Sequence, residues 1–248
     1  QKEKQMKENI YDNEIFFEKY SQMERSQKGL EGAGEWHELK KLFPDFKDKR
    51  VLDLGCGYGW HCIYAAENGA AYVLGTDISH KMLERAESKN NSPVIEYRCR
   101  AMEDLKLNEE DFNVVISSLA FHYVKDFDLL VKNIFGWLKK GGEFVFSVEH
   151  PVFTAYGTQD WIYGENNEIL YFPVDNYYYE GKREAVFLGE KVTKYHRTLT
   201  TYINTLLKAG FAIQNIVEPM PPENMMDIPG MKDEMRRPMM LIVSAKKP

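Results

Sequence analysis

The chain has 248 residues, 44% of them hydrophobic and 28% charged, with a formal net charge of −6. Length and apolar content suffice for one sizeable core, and the acidic balance offers no basic footprint for nucleic acid. No apolar run approaches the roughly 20 residues that span a bilayer, and the charged opening QKEKQMKEN is unlike a signal peptide, so neither a membrane nor a nucleic-acid partner is expected.

Residues 1–9 are highly polar and expected to fray. Between 10 and 25, Tyr11, Ile15, Phe16, Phe17, Tyr20 and Met23 recur at roughly helical spacing. After a flexible segment at 29–34, a second short helix at 35–42 carries Trp36 and His37, and Pro44 ends it. Val51, Leu52 and Leu54 then make a short buried strand over 50–54. Three alternating glycines follow, Gly55, Gly57 and Gly59, and helical periodicity resumes at 60–68. A strand that breaks on glycines and re-enters as a helix makes a ligand cradle. Without Cβ atoms the backbone can approach a ligand closely, and the helix start offers unpaired N–H groups. The dinucleotide fingerprint G-x-G-x-x-G would want its third glycine at position 60, which is Trp60.

A second strand, 72–76, leads into Asp77, 18 residues after Gly59. A carboxylate at that point can take both ribose hydroxyls, which serves a nicotinamide dinucleotide and any other nucleoside cofactor alike. Ile78 would pack on the adenine; the competing role for Asp77 is an N-cap for the helix at 79–89. A third strand is expected at 94–98, a fourth at 112–118, a helix from Asp126 ended by Gly141, and a fifth strand at 143–148. In open α/β sheets ligands lie beyond the carboxyl ends of the strands, so Ser117, Ser118 and His122 fall near the bound cofactor. Between 151 and 198 eleven of 48 residues are aromatic, about 23% against 13% for the chain, and short alternating runs predict a small antiparallel β lid. A helix at 198–208 and two closing strands, 211–218 and 238–245, complete the chain.

The D-x-G-x-G-x-G run from Asp53 to Gly59 resembles the glycine-rich loop of class I S-adenosylmethionine-dependent methyltransferases. There the loop wraps the amino-acid end of the cofactor, with the acid near its ammonium group, which implies cofactor roles for Asp53, Gly55, Cys56, Gly57 and Gly59. The turn RAMEDL at 100–105 is similar to the one that reads the adenine edge in that family and brings in Ala101, Met102 and Glu103. FNVVISSLAFHYV resembles the fourth motif of the small-molecule, quinone-biosynthesis-type branch. The Asn/Asp-Pro-Pro-aromatic tetrad of protein and nucleic-acid amino methyltransferases is absent. LKKGGEFVFS is similar to the family's turn into strand five.

The resemblance implies a Rossmann-like α/β fold: seven strands in the order 3-2-1-4-5-7-6, the last antiparallel, with helices on both faces. It divides the chain into N-terminal helices covering the cleft (1–49), a methyltransferase core (50–150 and 198–248) and an aromatic-rich substrate lid (151–197). The implied donor is S-adenosyl-L-methionine, with S-adenosyl-L-homocysteine as product and a small molecule as acceptor. The cover would supply Tyr11, Tyr20, Trp36 and His37 to the acceptor, and the lid Phe153, Tyr156 and Tyr179; packing on the sheet edge or on a second subunit is the plainer alternative. Alignment in a dry site supplies most of the catalysis. If a base is needed, His122 and then His150 are the candidates, ahead of His37 and His196, against a structural role bonded to backbone. The cysteines Cys56, Cys62 and Cys99 fit neither a zinc site nor a disulfide framework and read as thiols in the cytoplasm, and no metal is expected. A monomer or homodimer is expected. An NAD-dependent oxidoreductase and a non-catalytic S-adenosylmethionine-binding domain are the competing functions.

Overall fold

The computed structural model describes residues 7, 9–90 and 92–248, so most of the 1–9 segment expected to fray lies outside the described residues. The helical face at 10–25 is divided. A single 3-10 turn, Ile10–Asp12, precedes α1 (Glu14–Ser21) and α2 (Glu24–Gln27). Asn13 stops continuity by taking extended backbone and accepting the Phe16 N–H at 3.0 Å, a side-chain cap that starts α1 afresh. Met23 is extended in the same way before α2. α3 follows at Trp36–Leu42.

The core alternates strand and helix: β1 (Arg50–Leu54), α4 (Trp60–Glu67), β2 (Tyr72–Asp77), α5 (His80–Lys89), β3 (Ile95–Cys99), β4 (Phe112–Ser118), α6 (Phe127–Trp137) and β5 (Leu138–Glu149). α6 stops at Trp137 and does not run to Gly141. Leu138 is already extended and paired with Phe112, and Gly141, at φ +77°, kinks the start of a long β5. After α7 (Pro151–Thr154) come two separate antiparallel pairs, β6 (Ile162–Tyr163) with β7 (Ile169–Tyr171), and β8 (Gly181–Phe187) with β9 (Glu190–His196). α8 (Leu199–Ala209), β10 (Ala212–Val217) and β11 (Met240–Lys246) close the chain.

The seven-stranded sheet has the order β3-β2-β1-β4-β5-β11-β10. Counting only its own strands, that is 3-2-1-4-5-7-6, with β11 antiparallel to both β5 and β10. This is the Rossmann-like methyltransferase arrangement expected from the sequence. Period-two alternation sends the strands' side chains to two cores. Leu52, Leu54, Val115, Phe144, Phe146 and Val148 pack under α6 and α8, whereas Val51, Val73, Val114 and Ile116 pack under α4 and α5. Trp36 and Leu39 of α3 cover Val145 and Ile242 nearer the closing hairpin. With both faces buried, chemistry is confined to the ends of the strands.

Candidate active site

β1, β2, β4 and β5 are mutually parallel, so Leu54, Asp77, Ser118 and Glu149 leave the sheet at one edge. A cavity of about 340 Å³ opens there. On the β1–β2 side it is lined by Gly55, Gly57, Asp77 and Ile78, and next to them by Ala101, Met102 and Glu103. Gly55 sits at φ +73°, and a Cβ on it would fall 2.5 Å from that of Ala120, so only glycine fits. Gly57, at φ +52°, has nothing within 4 Å of where its Cβ would be. That open backbone is a cradle.

Asp77 ties the cradle to the next helix. Its Oδ2 accepts the Gly57 N–H and its Oδ1 the Ser79 N–H, both at 2.9 Å. Burial pushes its pKa up, while these N–H groups and that of Ile78 pull it back. The N-cap of α5 is Ser79, whose Oγ accepts the Met82 N–H, so Asp77 is not spent on capping. Asp12 reaches across from the N-terminal segment, accepting from Ser79 Oγ at 2.6 Å and from the Lys81 N–H at 3.2 Å. Tyr11 and Tyr20 are thereby held on the cavity wall, and the Tyr11 hydroxyl lies 3.0 Å from that of Tyr123.

Several residues expected at the site stand elsewhere. Asp53 is 1% exposed, does not line the cavity, and accepts from the Cys62 thiol at 3.3 Å; burial lifts its pKa to about 7. Cys56 faces a smaller adjoining recess with Tyr58, Trp60 and His61. Gly59, at φ +74°, heads α4 against the Tyr97 hydroxyl. Ser117 donates to the Leu54 carbonyl at 2.7 Å inside the sheet. Trp36 packs edge-on against Phe43, His61 and Tyr64 and belongs to the core, and His37 lies beside Glu38 on the outer side of α3. Of the three lid aromatics only Phe153 lines the cavity; Tyr156 is partly exposed and Tyr179 is 76% exposed.

The histidines divide as well. His150 caps α7, accepting the Val152 N–H on Nδ1, and its Nε2 pairs with Glu218 at 2.7 Å, outside the cavity. His196 is held between Thr154 and the Tyr177 carbonyl. His122 does line the cavity and is 2% exposed. Its Nδ1 accepts the Glu149 backbone N–H at 3.4 Å, which leaves the proton of the neutral ring on Nε2, 3.9 Å from Glu149 Oε1. Burial lowers its pKa to about 4. A ring so committed has no lone pair to offer a substrate proton.

Sequence reasoning missed two buried charge clusters. Arg25 meets Glu35 at 2.5 Å, and Glu35 also accepts from Ser118 Oγ at 3.2 Å, where the N-terminal segment meets the end of β4. Lys194 meets Glu149 at 2.6 Å and Gln159 at 2.7 Å, while Gln159 donates to the other Glu149 oxygen at 2.5 Å. Leu119, between β4 and the His122 turn, holds φ +51°, a costly geometry for leucine, right at the cavity.

Comparison with known proteins assigns this geometry. A methyltransferase domain model matches residues 52–146. A solved Listeria monocytogenes structure classed as an S-adenosylmethionine dependent methyltransferase is 57% identical, covers 89% of this chain and 99% of its own, and superimposes with a TM-score of 0.85. The chain belongs to the S-adenosylmethionine-dependent methyltransferases. A Mesorhizobium loti member is 40% identical, covering 88% of this chain and all of its own, with a TM-score of 0.81. The ubiquinone biosynthesis O-methyltransferase of Neisseria meningitidis serogroup C is 33% identical over 185 residues, 62% of this chain and 76% of that protein. The methyltransferase thus draws on S-adenosylmethionine, and its residues suit that cofactor: the space over Gly57 is open, and Asp77 stands at the edge of it.

Proposed function

We propose that this methyltransferase modifies a small-molecule acceptor, bound in the half of the cavity nearest β5. The nucleoside would be held by Asp77 on the ribose, with Ile78 and the 101–103 turn around the adenine; the methionine end would lie along Gly55 and Gly57. The cofactor supplies an electrophilic methyl on a sulfonium. The residues' own work is to orient and to exclude water, because displacement from a sulfonium needs little beyond alignment of the two partners. The observation that carries this reading is the enclosure of one cavity by three parts of the chain. The cofactor cradle forms its floor, Tyr11, Tyr20 and Met23 come from the N-terminal segment, and Phe153, Phe187 and Lys194 come from the insert.

Residues 9–49 and 151–197 accordingly act as the cover on the acceptor side. A cavity of about 340 Å³ lined by three parts of the chain favours a small acceptor over a protein segment or a nucleic acid, and the name of the Neisseria relative points the same way. His122 serves to position Glu149 and takes no proton. The three free cysteines support a reducing compartment, the cytoplasm. Incubation of the protein with methyl-labelled donor and a cell extract, followed by size fractionation, tests the reading. Label should appear in the low-mass fraction. Label confined to protein or nucleic acid would overturn it. With an acceptor in hand, His122→Asn should leave the shape of the rate profile between pH 6 and 8 unchanged, and loss of an acidic limb would restore the histidine as base.

A further inference from the structure

The wall of the cavity at the end of β5 contains a closed triangle of Glu149, Gln159 and Lys194. Lys194 is 2% exposed yet lines the cavity, and its ammonium stands 5.3 Å from the Phe187 ring and 5.9 Å from the Tyr123 ring. An ammonium in such a place is costly unless partnered, and a chain gains nothing in stability from a buried ion pair over an apolar filling. The triangle therefore calls for a purpose, and its valences suggest one. Both oxygens of Glu149 already accept a hydrogen bond. The Lys194 ammonium has three protons and uses two on these partners; the Gln159 amide has two and uses one. The triangle thus keeps one unspent proton on Lys194 and one on Gln159 to donate to a ligand.

Position sharpens the point. In the sheet order, the end of β5 stands three strands from Asp77 at the end of β2, roughly 14 Å at about 4.8 Å per strand. That separation puts the triangle past the nucleoside and on the acceptor side. The other groups facing Lys194 from neighbouring elements are His122, held neutral by burial, and the hydroxyl-bearing ring of Tyr123. The surrounding wall is aromatic and thioether, including Tyr11, Phe153 and Met239.

We propose that Lys194, braced by Glu149 and Gln159, is the acceptor-recognition group, and that the acceptor presents to it an acidic oxygen on a flat aromatic ring. This rests on the small-molecule reading given above. An oxygen on the acceptor completes the hydrogen bonds left unspent on Lys194 and Gln159, and the rings of Phe187 and Tyr123 beside the ammonium suit a planar body. Glu149 has a second consequence. Being an anion at the same spot, it competes with the ligand for Lys194, so the pair sets affinity by opposition.

The test uses the 248-residue chain saturated with S-adenosylhomocysteine and two chromophoric probes, 4-nitrophenol and 4-nitrobenzoate, at fixed neutral pH. Wild type should bind at least one, and the ratio between them tells whether the acidic oxygen is phenolic or carboxylic; for the phenol, binding should raise the nitrophenolate absorbance. Lys194→Met should weaken the preferred probe about tenfold or more, the scale of a lost charged hydrogen bond, and Lys194→Arg should retain most of the affinity. Glu149→Gln should bind the probe more tightly than wild type, because the competing anion is gone. A structural role alone would instead weaken Lys194→Met and Glu149→Gln together, and that outcome overturns the proposal. So does wild type binding neither probe. S-adenosylhomocysteine affinity, read in a separate titration of each ligand-free variant, reports whether it is folded. Labelled methyl appearing in small molecules of the extract while the probes fail would sink this inference and leave the small-molecule reading standing.

Discussion

Replacement of Asp77 by asparagine tests the cofactor half of the site with the least disturbance of shape. The carboxylate accepts two backbone N–H groups at 2.9 Å, one from the glycine loop and one from Ser79. An amide has a single oxygen, so one of those two N–H groups would face an NH₂. That loss exists with or without ligand, and it falls on stability, by about 1 kcal/mol for a bond of this kind. Binding is affected separately. A carboxylate can accept both hydroxyls of the ribose, whereas the amide oxygen can accept one. The missing charged hydrogen bond is worth about 1.5–3 kcal/mol, a rise of about 10- to 150-fold in Kd at 1.4 kcal/mol per decade. Calorimetric titration with S-adenosylhomocysteine measures the second term, and urea denaturation of the free protein measures the first. A Kd within about twofold of wild type, in a variant of ordinary stability, would remove Asp77 from the ribose and with it the proposed orientation of the nucleoside.

Two further substitutions probe residues that the structure moves away from the cavity. Asp53 has its folded pKa lifted to about 7 by burial, with Asp77 adding and the Cys62 thiol opposing, against about 3.9 in an unfolded chain. Between those values the folded state holds a proton that the unfolded state releases. The contribution is therefore complete below about pH 4 and is lost as pH rises through 7, at up to about 1.4 kcal/mol per pH unit. Asp53→Asn should flatten the fall of the urea midpoint between pH 5 and pH 8, and parallel slopes for the two proteins would refute the assignment. Trp36→Ala should cost about 3–5 kcal/mol of stability, as large-to-small changes in a packed core do, since the indole is buried against Phe43 and Tyr64 and donates to Glu31 at 3.1 Å. Calorimetry should show a lowered Tm with S-adenosylhomocysteine affinity changed less than about threefold at a permissive temperature; an unaltered Tm with a weakened acceptor would return Trp36 to the substrate pocket.

Where the backbone itself carries the message, the sequence was legible. β1 and β4 fall on the residues expected of them, 50–54 and 112–118, because a buried parallel strand reads as a short, mostly apolar run bounded by polar or glycine residues. The glycine loop announces its own conformation, since few other residues take φ values of +73°, +52° and +74° in alternation. Side-chain direction was harder. Asp53, inside the loop motif, alternates with Leu52 and Leu54 along β1, and period two turns it toward Cys62 on α4 rather than toward the ligand. At the end of β5 the residue expected to act is His150, the second candidate base. The chain turns into α7 at that point, so His150 becomes a cap and Glu149, the last strand residue, faces the cavity.

The insert shows why counting aromatic residues does not tell which of its side chains line the cavity. Tyr178 and Tyr179 are among its conspicuous rings, and both are mostly exposed. The charged side chain that the insert brings to the cavity is a lysine in EKVTKYH, the β9 strand, where only phase distinguishes inward from outward. Val192, Lys194 and His196 share one phase and are all buried; Lys191, Thr193 and Tyr195 hold the other and are more exposed. A valine fixes the buried phase of a two-residue repeat, and that assignment carries the charged residue two places later into the interior with it. Once inside, the lysine needs an anion, and Glu149 at the end of β5 supplies it across 2.6 Å. Strand phase thus decides the electrostatics of this cavity wall, and shifting the register of β9 by one residue would exchange its ammonium for the side chain of Thr193 or Tyr195.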